Sequence, residues 1–500
     1  MKRHIQKLSA LILTVCTLFP LVACSTGETT VETPSSHTTN PVTENSTTDP
    51  DYSMDLEEDL CFDTSVTILY VNKSGRSDEL ACANLGGGVI SDAVFERNAA
   101  VEDRLGITFD YVTRNEDTEA TAMMSNLVQA GDASVDIFTI GTYVSMAPML
   151  SGHYLNLNEL DNINLSKHYW NQDYNEMMTF TSQNLQFVAT SPIAISMFRR
   201  GYLTIFNRDL LEAYKIPDLY ETVANGDWTL ECQYNMIKDI YTDVDGDSRK
   251  SDEDFYGFVV GNVGDMDVYT VASDIHMVIR DEVGALVYHA DITDRMIDMS
   301  EKVSALCNAS GTYLSDGFGQ GFEYPLIKFS EKKALMATTM FGDIETHFES
   351  LASMNYGIAP LPKLSKEQQE YKTYIQDQVS CFGISSAIDN VERQEQLAAV
   401  LEAMSYYSYQ IIRPAYYDSV LSLRFMQDPQ SREILDTMFE SVSFDYVYAT
   451  GLSGFRDSMR SVLPTTNPAL ASKLKRWKSQ MEKDLEKQQD SFDKLLDQRE

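Results

Sequence analysis

The hydrophobic pattern alternates between short β-branched runs and longer amphipathic stretches from residue 65 onward. The runs "SVTILYV" (65–71), "GITFDYV" (106–112) and "VDIFTI" (135–140) predict strands. Helical periodicity over residues 91–105 and 119–130 separates these strands. Strands that alternate with helices at these lengths form parallel sheets covered by helices. The pattern therefore predicts an α/β fold.

The same alternation resumes later and then gives way to helix. Further strands are predicted at 185–190, 202–207, 256–261 and 379–385, and the chain becomes largely helical after about residue 389. A helical stripe in the last segment would either pack against its own domain, which we favour, or form a coiled-coil seam. Its apolar members are Leu470, Leu474, Trp477, Met481, Leu485, Phe492 and Leu496.

The N-terminus has the features of an export signal. Lys2, Arg3 and Lys7 precede an apolar run (8–23) that is too short for a comfortable membrane span. The run ends in "LVAC", which resembles the bacterial lipobox, so we expect residues 1–23 to be a lipoprotein signal peptide and Cys24 to be the lipidated residue. The alternative is an ordinary signal peptide in which this cysteine occurs by chance. Two acyl chains suffice for stable membrane anchoring.

Residues 24–61 are rich in Ser, Thr, Pro and acid and contain few large apolar side chains. Such a segment cannot bury enough surface to fold, so it predicts a disordered tether. The remaining chain is too long for one ordinary core, because the sequence has 500 residues. Two domains or lobes are therefore expected.

Charge and cysteine usage narrow the function classes. The formal net charge of −36 disfavours binding to phosphate backbones and to anionic lipid headgroups, so we expect no nucleic-acid partner. Seven cysteines are present, and five remain after Cys16 and Cys24 are set aside. These five contain no C-x-x-C and read mostly as small buried hydrophobes. Cys61 and Cys82 are the one sequence-near pair, and a disulfide between them stays open.

Signatures of catalysis are missing from the sequence. There is no H-E-x-x-H, no G-x-S-x-G and no Walker phosphate loop. Among 75 acidic residues any carboxylate pair could be chosen, so a glycosidase is unsupported although still an alternative. The 27 Tyr, 22 Phe and 3 Trp would suit a cleft for neutral sugars, because sugar C–H faces pack on aromatic rings. Most of these aromatic residues are expected in the core.

One aspartate-rich loop has nearly the spacing of an EF-hand calcium loop. Position 6 is Ser248 rather than Gly, and the last ligand is shorter than the usual Glu, so coordination should be weak. We expect no required cofactor, and structural Ca²⁺ or a plain Asp-Gly turn both stay open here. The candidate ligands are Asp243, Asp245, Asp247, the Arg249 carbonyl, a water held by Ser251, and Asp254.

Several segments together resemble one family, the bacterial extracellular solute-binding proteins, family 1. These are lipid-anchored receptors of ABC-type uptake systems, often for carbohydrates. The similarity spans roughly residues 65–465, and no single segment is specific by itself. The segments are "FERNAAVEDRLGITFDYV" (95–112), "LTIFNRDLLEAYKIPD" (203–218), "GDWTL" (226–230), "FSEKKALMATTM" with "YGIAPLP" (329–362), and "RPAYYDSVLSLRFMQDPQSREILD" (413–436).

The resemblance implies a two-lobed periplasmic-binding-protein fold of type II with the ligand cleft between the lobes. Lobe 1 would comprise 62–200 plus 362–408, and lobe 2 would comprise 201–361 plus 409–500. The implied function is capture of a small solute, a sugar or oligosaccharide, by hinge closure, and delivery to ABC permease subunits. Such a protein is not an enzyme. We expect a monomer on the outer face of the bacterial cytoplasmic membrane.

The resemblance also points to ligand-binding residues. It places an aromatic at Tyr143, a polar side chain at Arg200, an aromatic at Phe341 and a ring or cation at Arg456. In the family, a carboxylate is common at the position of Arg200. This difference argues against a plain neutral sugar as the ligand. Two other classes of protein are alternatives. A surface enzyme acting on polysaccharide would show turnover, and a calcium-dependent adhesion module usually carries repeats, which this sequence lacks.

Overall fold

The protein is described by a computed structural model that covers residues 53–82, 84–180, 184–422 and 429–497. The predicted signal peptide, Cys24 and most of the predicted tether lie outside these residues. The strands, in chain order, are β1 (Thr64–Val71), β2 (Ile107–Arg114), β3 (Ile137–Gly141), β4 (Tyr202–Asn207), β5 (Tyr241–Thr242), β6 (Phe255–Gly261), β7 (Val278–Arg280), β8 (Leu286–Tyr288), β9 (Thr312–Ser315), β10 (Ala334–Met340), β11 (Tyr356–Ala359), β12 (Thr373–Tyr374), β13 (Ser380–Ile384) and β14 (Val442–Ser443).

Two sheets organise the described chain, and each defines a lobe. The first lobe is built on a four-stranded sheet in the order β13-β3-β1-β2, where β1 runs parallel to β2 and β3 while β13 is antiparallel to β3. The second lobe is built on a six-stranded sheet in the order β11-β4-β10-β6-β5, with β9 also paired to β6. In this sheet β4 is antiparallel to both of its neighbours. These lobes confirm the predicted α/β, two-lobed architecture.

Helices cover the two sheets and fill the C-terminal part of the chain. Their bounds are α1 (Val89–Leu105), α2 (Asp117–Ala130), α3 (Met146–Leu150), α4 (Gln172–Met178), α5 (Ser196–Arg199), α6 (Arg208–Ala213), α7 (Leu219–Ala224), α8 (Leu230–Ile237), α9 (Val268–Ala272), α10 (Thr293–Cys307), α11 (Tyr324–Ser330), α12 (Phe341–Thr346), α13 (Phe348–Leu351), α14 (Val391–Tyr407), α15 (Arg413–Ser422), α16 (Pro429–Glu440), α17 (Tyr446–Thr450), α18 (Phe455–Val462) and α19 (Leu470–Asp497).

The chain passes between the lobes along two neighbouring crossing segments, residues 198–201 and 375–379. Gly201 and Ile375 form an antiparallel bridge. The Gln376 N–H donates to the Arg200 carbonyl at 3.1 Å. Two short, paired backbone segments can absorb a rotation of one lobe against the other without disturbing either sheet. The crossing segments are therefore the hinge of the molecule.

Most predicted strands are confirmed, and one is wrong. The strands expected near 65–71, 106–112, 135–140, 202–207, 256–261 and 379–385 correspond to β1, β2, β3, β4, β6 and β13. The run at 185–190 makes only isolated bridges, Phe180 with Leu185 and Ala189 with Phe382. These residues are buried in a connecting segment. Their continuous apolar character therefore indicated burial and not a place in a sheet.

The apolar stripe of the last helix packs against its own domain, as predicted. Trp477 of α19 contacts Phe455 edge to face, and Phe492 contacts Phe180 and Phe187. Because this helix touches α3 of the first lobe and α10 of the second, it reaches both lobes. The boundary that assigns 409–500 to lobe 2 stays a prediction, since the segment 413–422 also packs on α1 of the first lobe.

The end of the predicted tether is tied to the first lobe. Arg104 of α1 donates to the backbone carbonyls of Glu57 and Leu60, and Asn164 donates to the Asp55 carboxylate. Cys61 lies beside Gly106, which ends α1 with a left-handed φ of 62°. A Cβ at Gly106 would sit 2.3 Å from the Cys61 sulfur. Cys61 and Cys82 are both free thiols, so the disulfide that the sequence left open is not formed.

Candidate functional site between the lobes

A polar cavity of about 280 Å³ lies between the two lobes beside the first crossing segment. Its lining comes from the loop after β1, from the end of α5 and from the first turns of α12. Ligands in open α/β sheets bind outside the carboxyl ends of the strands, which is where these segments begin. The lining residues are Ser74, Gly75, Ser77, Asp78, Arg199, Arg200, Glu323, Gly342, Asp343, Glu345 and Thr346.

On the first-lobe side, an ion-paired cluster fixes the loop after β1. The Arg76 guanidinium donates to both Asp117 oxygens at 2.7 and 2.8 Å, and Lys73 donates to the same carboxylate at 2.7 Å. The Gly141 N–H and the Tyr143 hydroxyl complete its shell. Burial alone would raise the pKa of Asp117, but Arg76 and these hydrogen bonds lower it to about 2. The buried Nε and Nη1 atoms of Arg76 have no hydrogen-bond partner among the residues that the structure describes.

At the hinge, Arg200 is held by one end of its guanidinium only. Its Nη2 donates to the Ser74 carbonyl at 2.8 Å, while its buried Nε donates to none of the described residues. Burial lowers the pKa of Arg200, and Asp343 opposes that shift. A Cβ at Gly75 would lie 2.9 Å from Arg200 Nη2, so the glycine admits the guanidinium. A buried N–H without an acceptor costs free energy until a ligand supplies one.

Arg199 connects the two lobes directly next to this position. It pairs with Asp78 of the loop after β1 at 2.5 Å and with Glu345 of α12 at 3.1 Å. Because Asp78 belongs to the first lobe and Glu345 to the second, this bridge joins the two lobes. Tyr416 also donates to the Glu345 carboxylate, which fixes the second-lobe end of the bridge.

The second-lobe side contributes acidic side chains. Asp265 follows β6, accepts from the Gly261 N–H at 2.7 Å, and has its pKa raised to about 7, first by burial and then by Asp343. Asp267 pairs with Arg460. Asp343, in the first turn of α12, has its pKa raised to about 6, first by burial and then by Glu323. The second-lobe wall thus contains carboxyl groups that are not fully ionised at neutral pH.

The four predicted ligand residues all contact the crossing segments. The Tyr143 N–H donates to the Asp377 carbonyl at 3.1 Å, and Arg456 forms an ion pair with the Asp377 carboxylate. The Phe341 N–H donates to the Gly201 carbonyl at 3.1 Å. Only Arg200 of the four lines the cavity. Their roles in ligand contact stay predictions.

The side chains of the other three are largely engaged by the protein. The Tyr143 hydroxyl donates to Asp117. The Phe341 ring is 4% exposed and packs 5.7 Å from the Phe439 ring, so stacking on a ligand would require the lobes to move. Arg456 is ion-paired with the carboxylates of Asp377 and Asp457.

Sequence reasoning missed other buried polar residues of the interlobe region. These are Arg76 on the first lobe, Asp265 and Asp343 on the second, and Gln376, whose buried Oε1 accepts from no described residue. A signal was present, because the first three lie within about five residues of the carboxyl ends of β1, β6 and β10, where ligands of parallel sheets are expected. The mutual approach of these loops required the tertiary structure.

Other hollows on the described surface are larger but belong to different surroundings. One of about 500 Å³ lies between residues 217–236 and Lys366, and another of about 400 Å³ lies within the first lobe near His153. Neither has the Asp78–Arg199–Glu345 bridge across its wall. Within the described residues, no helix is both long enough and apolar enough to cross a membrane.

The aspartate loop between β5 and β6 brings three predicted ligands together. Carboxylate oxygens of Asp243, Asp245 and Asp247 lie within 4.8 Å of one another. Ser248 takes the left-handed conformation, with φ 62°, that a glycine usually supplies. Asp254 is engaged differently, since its two oxygens accept from the Val244 and Ser251 N–H groups and the Tyr241 hydroxyl. It therefore holds the loop closed rather than presenting a free bidentate carboxylate.

Calcium binding at this loop stays a prediction. Millimolar Ca²⁺ is expected to raise the melting temperature of the protein by a small, saturable amount, because three carboxylates converge while the twelfth position is engaged. Asp245→Asn should abolish the shift, and Asp110→Asn, an exposed acid on β2, should leave it intact. A calorimetric titration without heat at millimolar Ca²⁺ would refute the site.

Comparison with solved structures places this fold among bacterial substrate-binding proteins. The maltose-binding protein MalE from Listeria monocytogenes, in complex with maltose, aligns with TM-score 0.51 and 11% identity over 88% of this chain and 99% of its own. The galacto-N-biose/lacto-N-biose I-binding protein of the ABC transporter from Bifidobacterium longum gives 0.50 and 9% over 88% and 98%. UspC from M. tuberculosis gives 0.50 and 12% over 84% and 100%.

At these identities the comparison establishes the fold alone. The chain has the two-lobed periplasmic-binding-protein fold, as the sequence predicted. No protein-family model matches the chain, and no curated protein matches it. The neighbours are matched over nearly their whole length, so the similarity covers both lobes and the hinge rather than one common subdomain.

Proposed function

We propose that this protein is a solute-binding receptor that captures a carbohydrate between its lobes and delivers it to an ABC permease. The observation that carries the proposal is the interlobe cavity, lined by polar groups from both lobes and from the hinge. Arg200 of this lining has a buried Nε that no described residue accepts from. Hydroxyl groups of a sugar both accept and donate, so a sugar would satisfy it.

Hinge closure would couple binding to a change that a permease can recognise. In the structure, Arg199 bridges Asp78 and Glu345 across the lobes. A solute that contacts both walls binds the closed form more tightly than the open form, and so shifts the population towards closure. The bridge is partly exposed and adds little by itself. The solute supplies the main differential free energy.

We further propose that the mature protein is attached through Cys24 to the outer face of the cytoplasmic membrane. The lipobox-like "LVAC" and the Ser/Thr/Pro-rich segment that follows it support this proposal. A receptor held close to its permease meets it at a raised effective concentration. Cys24→Ser should release the protein from the membrane fraction, and metabolic labelling with a fatty acid should lose its signal. The protein would act as a monomer.

A thermal-shift screen over a carbohydrate library tests the binding function. A solute that binds only the folded form at a hundred times its Kd should stabilise the protein by about 2.7 kcal/mol. The same ligand should make the protein more compact in solution scattering, because closure brings the lobes together. Unchanged ligand after prolonged incubation is expected, since the proposed role makes and breaks no bond. Hydrolysis of the best ligand by the purified protein would favour the polysaccharide-acting enzyme instead.

A further inference from the structure

The interlobe cavity contains more carboxyl groups than cations. Its ionisable lining gives a formal charge of 2 − 4 = −2, from Arg199 and Arg200 against Asp78, Glu323, Asp343 and Glu345. Arg199 pairs with two of the acids, and His347 lies 2.7 Å from the Glu323 carboxylate. One carboxylate, Asp343, is left over. This excess of negative charge bears on the charge of the solute that the cavity can bind.

Asp343 is buried and yet lacks a cation partner. Its residue is 8% exposed, and within the described part of the chain no Lys, Arg or His nitrogen lies within 4.0 Å of its carboxylate. Its Oδ2 receives two long contacts of 3.4 Å, from the Thr339 hydroxyl and the Met340 N–H. Its Oδ1 accepts no hydrogen bond from a described residue. A buried carboxylate is normally paired or richly hydrogen-bonded.

The surroundings of Asp343 make the missing cation costly. Burial and then Glu323 raise its pKa, while Arg200 acts in the opposite direction without forming an ion pair. The neighbouring Asp265 is itself buried, and Asp343 raises its pKa further. Glu323 and Asp265 therefore lie near Asp343, and Arg200 is the cation whose charge opposes theirs there. A cation that entered the cavity would relieve both the burial cost and the mutual repulsion.

We propose that the solute carries a protonated amine that binds the Asp343 carboxylate, so that its class is an amino sugar or a glycan with free amino groups. The inference rests on the proposed function and refines it. An ammonium has three donors and no acceptor, which suits a wall of carboxyl oxygens. Sugar hydroxyls on the other side of the ligand remain available to the Arg200 Nε, which donates to no described residue. Acidic sugars are disfavoured by the net negative lining.

Matched ligands separate the amine from the rest of the sugar. Oligosaccharides of β-1,4-linked glucose, N-acetylglucosamine and glucosamine share one backbone and differ only at C2, as hydroxyl, acetamide or ammonium. The same contrast is available in glucose with glucosamine and galactose with galactosamine. In at least one set, calorimetric titration should give a Kd about tenfold lower for the ligand with the amine than for the ligand with the hydroxyl. A tenfold difference is what one charge-assisted hydrogen bond is expected to contribute.

Variants test whether the preference for the amine depends on Asp343. Asp343→Asn keeps the shape of the side chain and should bring the ratio of the two Kd values close to one. Asp110→Asn removes an acid from the exposed face of β2 and should leave the ratio unchanged. Circular dichroism and the melting temperature of each variant establish that it is folded, so a lost ratio in folded Asp343→Asn reports on the site.

The amine preference should also depend on pH. As pH falls through about 6, Asp343 takes up a proton and the ammonium loses its counter-charge, so the Kd of the amine ligand rises. The Kd of the hydroxyl ligand has no such requirement and should change less. The titratable and charged groups that face this carboxylate are Glu323, Asp265, Arg200, Tyr202 and, on its own helix, Glu345.

The outcomes distinguish this inference from the function on which it rests. If hydroxyl sugars bind and no amine partner binds more tightly, the amine assignment is wrong and the receptor function stands. If folded Asp343→Asn keeps the amine preference, the assignment to that carboxylate is wrong. If no sugar in the sets or in the wider library stabilises the protein, the receptor proposal fails and the amine assignment fails with it.

Discussion

Replacing Asp117 with asparagine should lower the free energy of unfolding by about 3 to 5 kcal/mol, the usual cost of removing one partner from a buried ion pair. Arg76 is 1% exposed and Asp117 is fully buried, so the variant leaves a guanidinium without its counter-charge. Lys73 loses the same partner. Urea denaturation of the variant and the parent protein measures the difference.

A double variant separates the cost of leaving Arg76 unpaired from the net contribution of the ion pair to stability. Arg76→Met with Asp117→Leu removes both charges and should recover much of the stability lost in Asp117→Asn, because an apolar pair of similar volume avoids desolvation. Glu96→Gln, an exposed acid on α1, is the control for removal of one negative charge. A loss below about 1 kcal/mol in Asp117→Asn would mean that water or relaxation solvates Arg76.

The same ion pair has a defined pH dependence. The folded-state pKa of Asp117 is about 2, below its ordinary 3.8, so the stabilisation is fully present above 3.8 and is lost as pH falls towards 2. Over that interval the parent protein should lose stability more steeply than Asp117→Asn. Parallel slopes for the two proteins between pH 3.8 and 2 would argue against the assigned shift.

Replacing Arg200 with alanine should weaken binding of the best solute by about tenfold to a hundredfold, the range expected for a desolvated charge-assisted hydrogen bond. The reason is that its buried Nε finds no acceptor in the described part of the chain, while the residue lines the cavity. Stability should change much less, because the guanidinium gives up a single hydrogen bond to the Ser74 carbonyl. Calorimetric titration and thermal melting on the same samples measure both.

Two further variants serve as comparisons for Arg200→Ala. Arg200→Lys keeps the charge but loses the planar Nε–H donor, so its affinity should fall between those of the parent protein and the alanine variant. Arg476→Ala removes a cation from the exposed side of α19 and should bind like the parent protein. If Arg200→Ala binds as tightly as Arg476→Ala does, the cavity beside the first crossing segment is not the solute site.

The sequence by itself determined the class of fold. Period-two and β-branched runs located β1, β2, β3, β4, β6 and β13, because a strand buried in a sheet needs continuous apolar side chains whatever surrounds it. The stripe on α19 likewise predicted its packing. The strand predicted at 185–190 is wrong because any buried segment is apolar, whether or not it pairs in a sheet. This segment is buried but makes only isolated bridges.

Only the tertiary structure decided which polar residues share the site. Ser74, Arg200 and Asp343 are each more than a hundred residues apart and line one cavity because the chain crosses between its lobes. Nothing in local composition distinguishes Asp343 from the other acids of so acidic a chain. Its lack of a cation partner is a property of three converging loops, and the electrostatic cost of that burial singles it out.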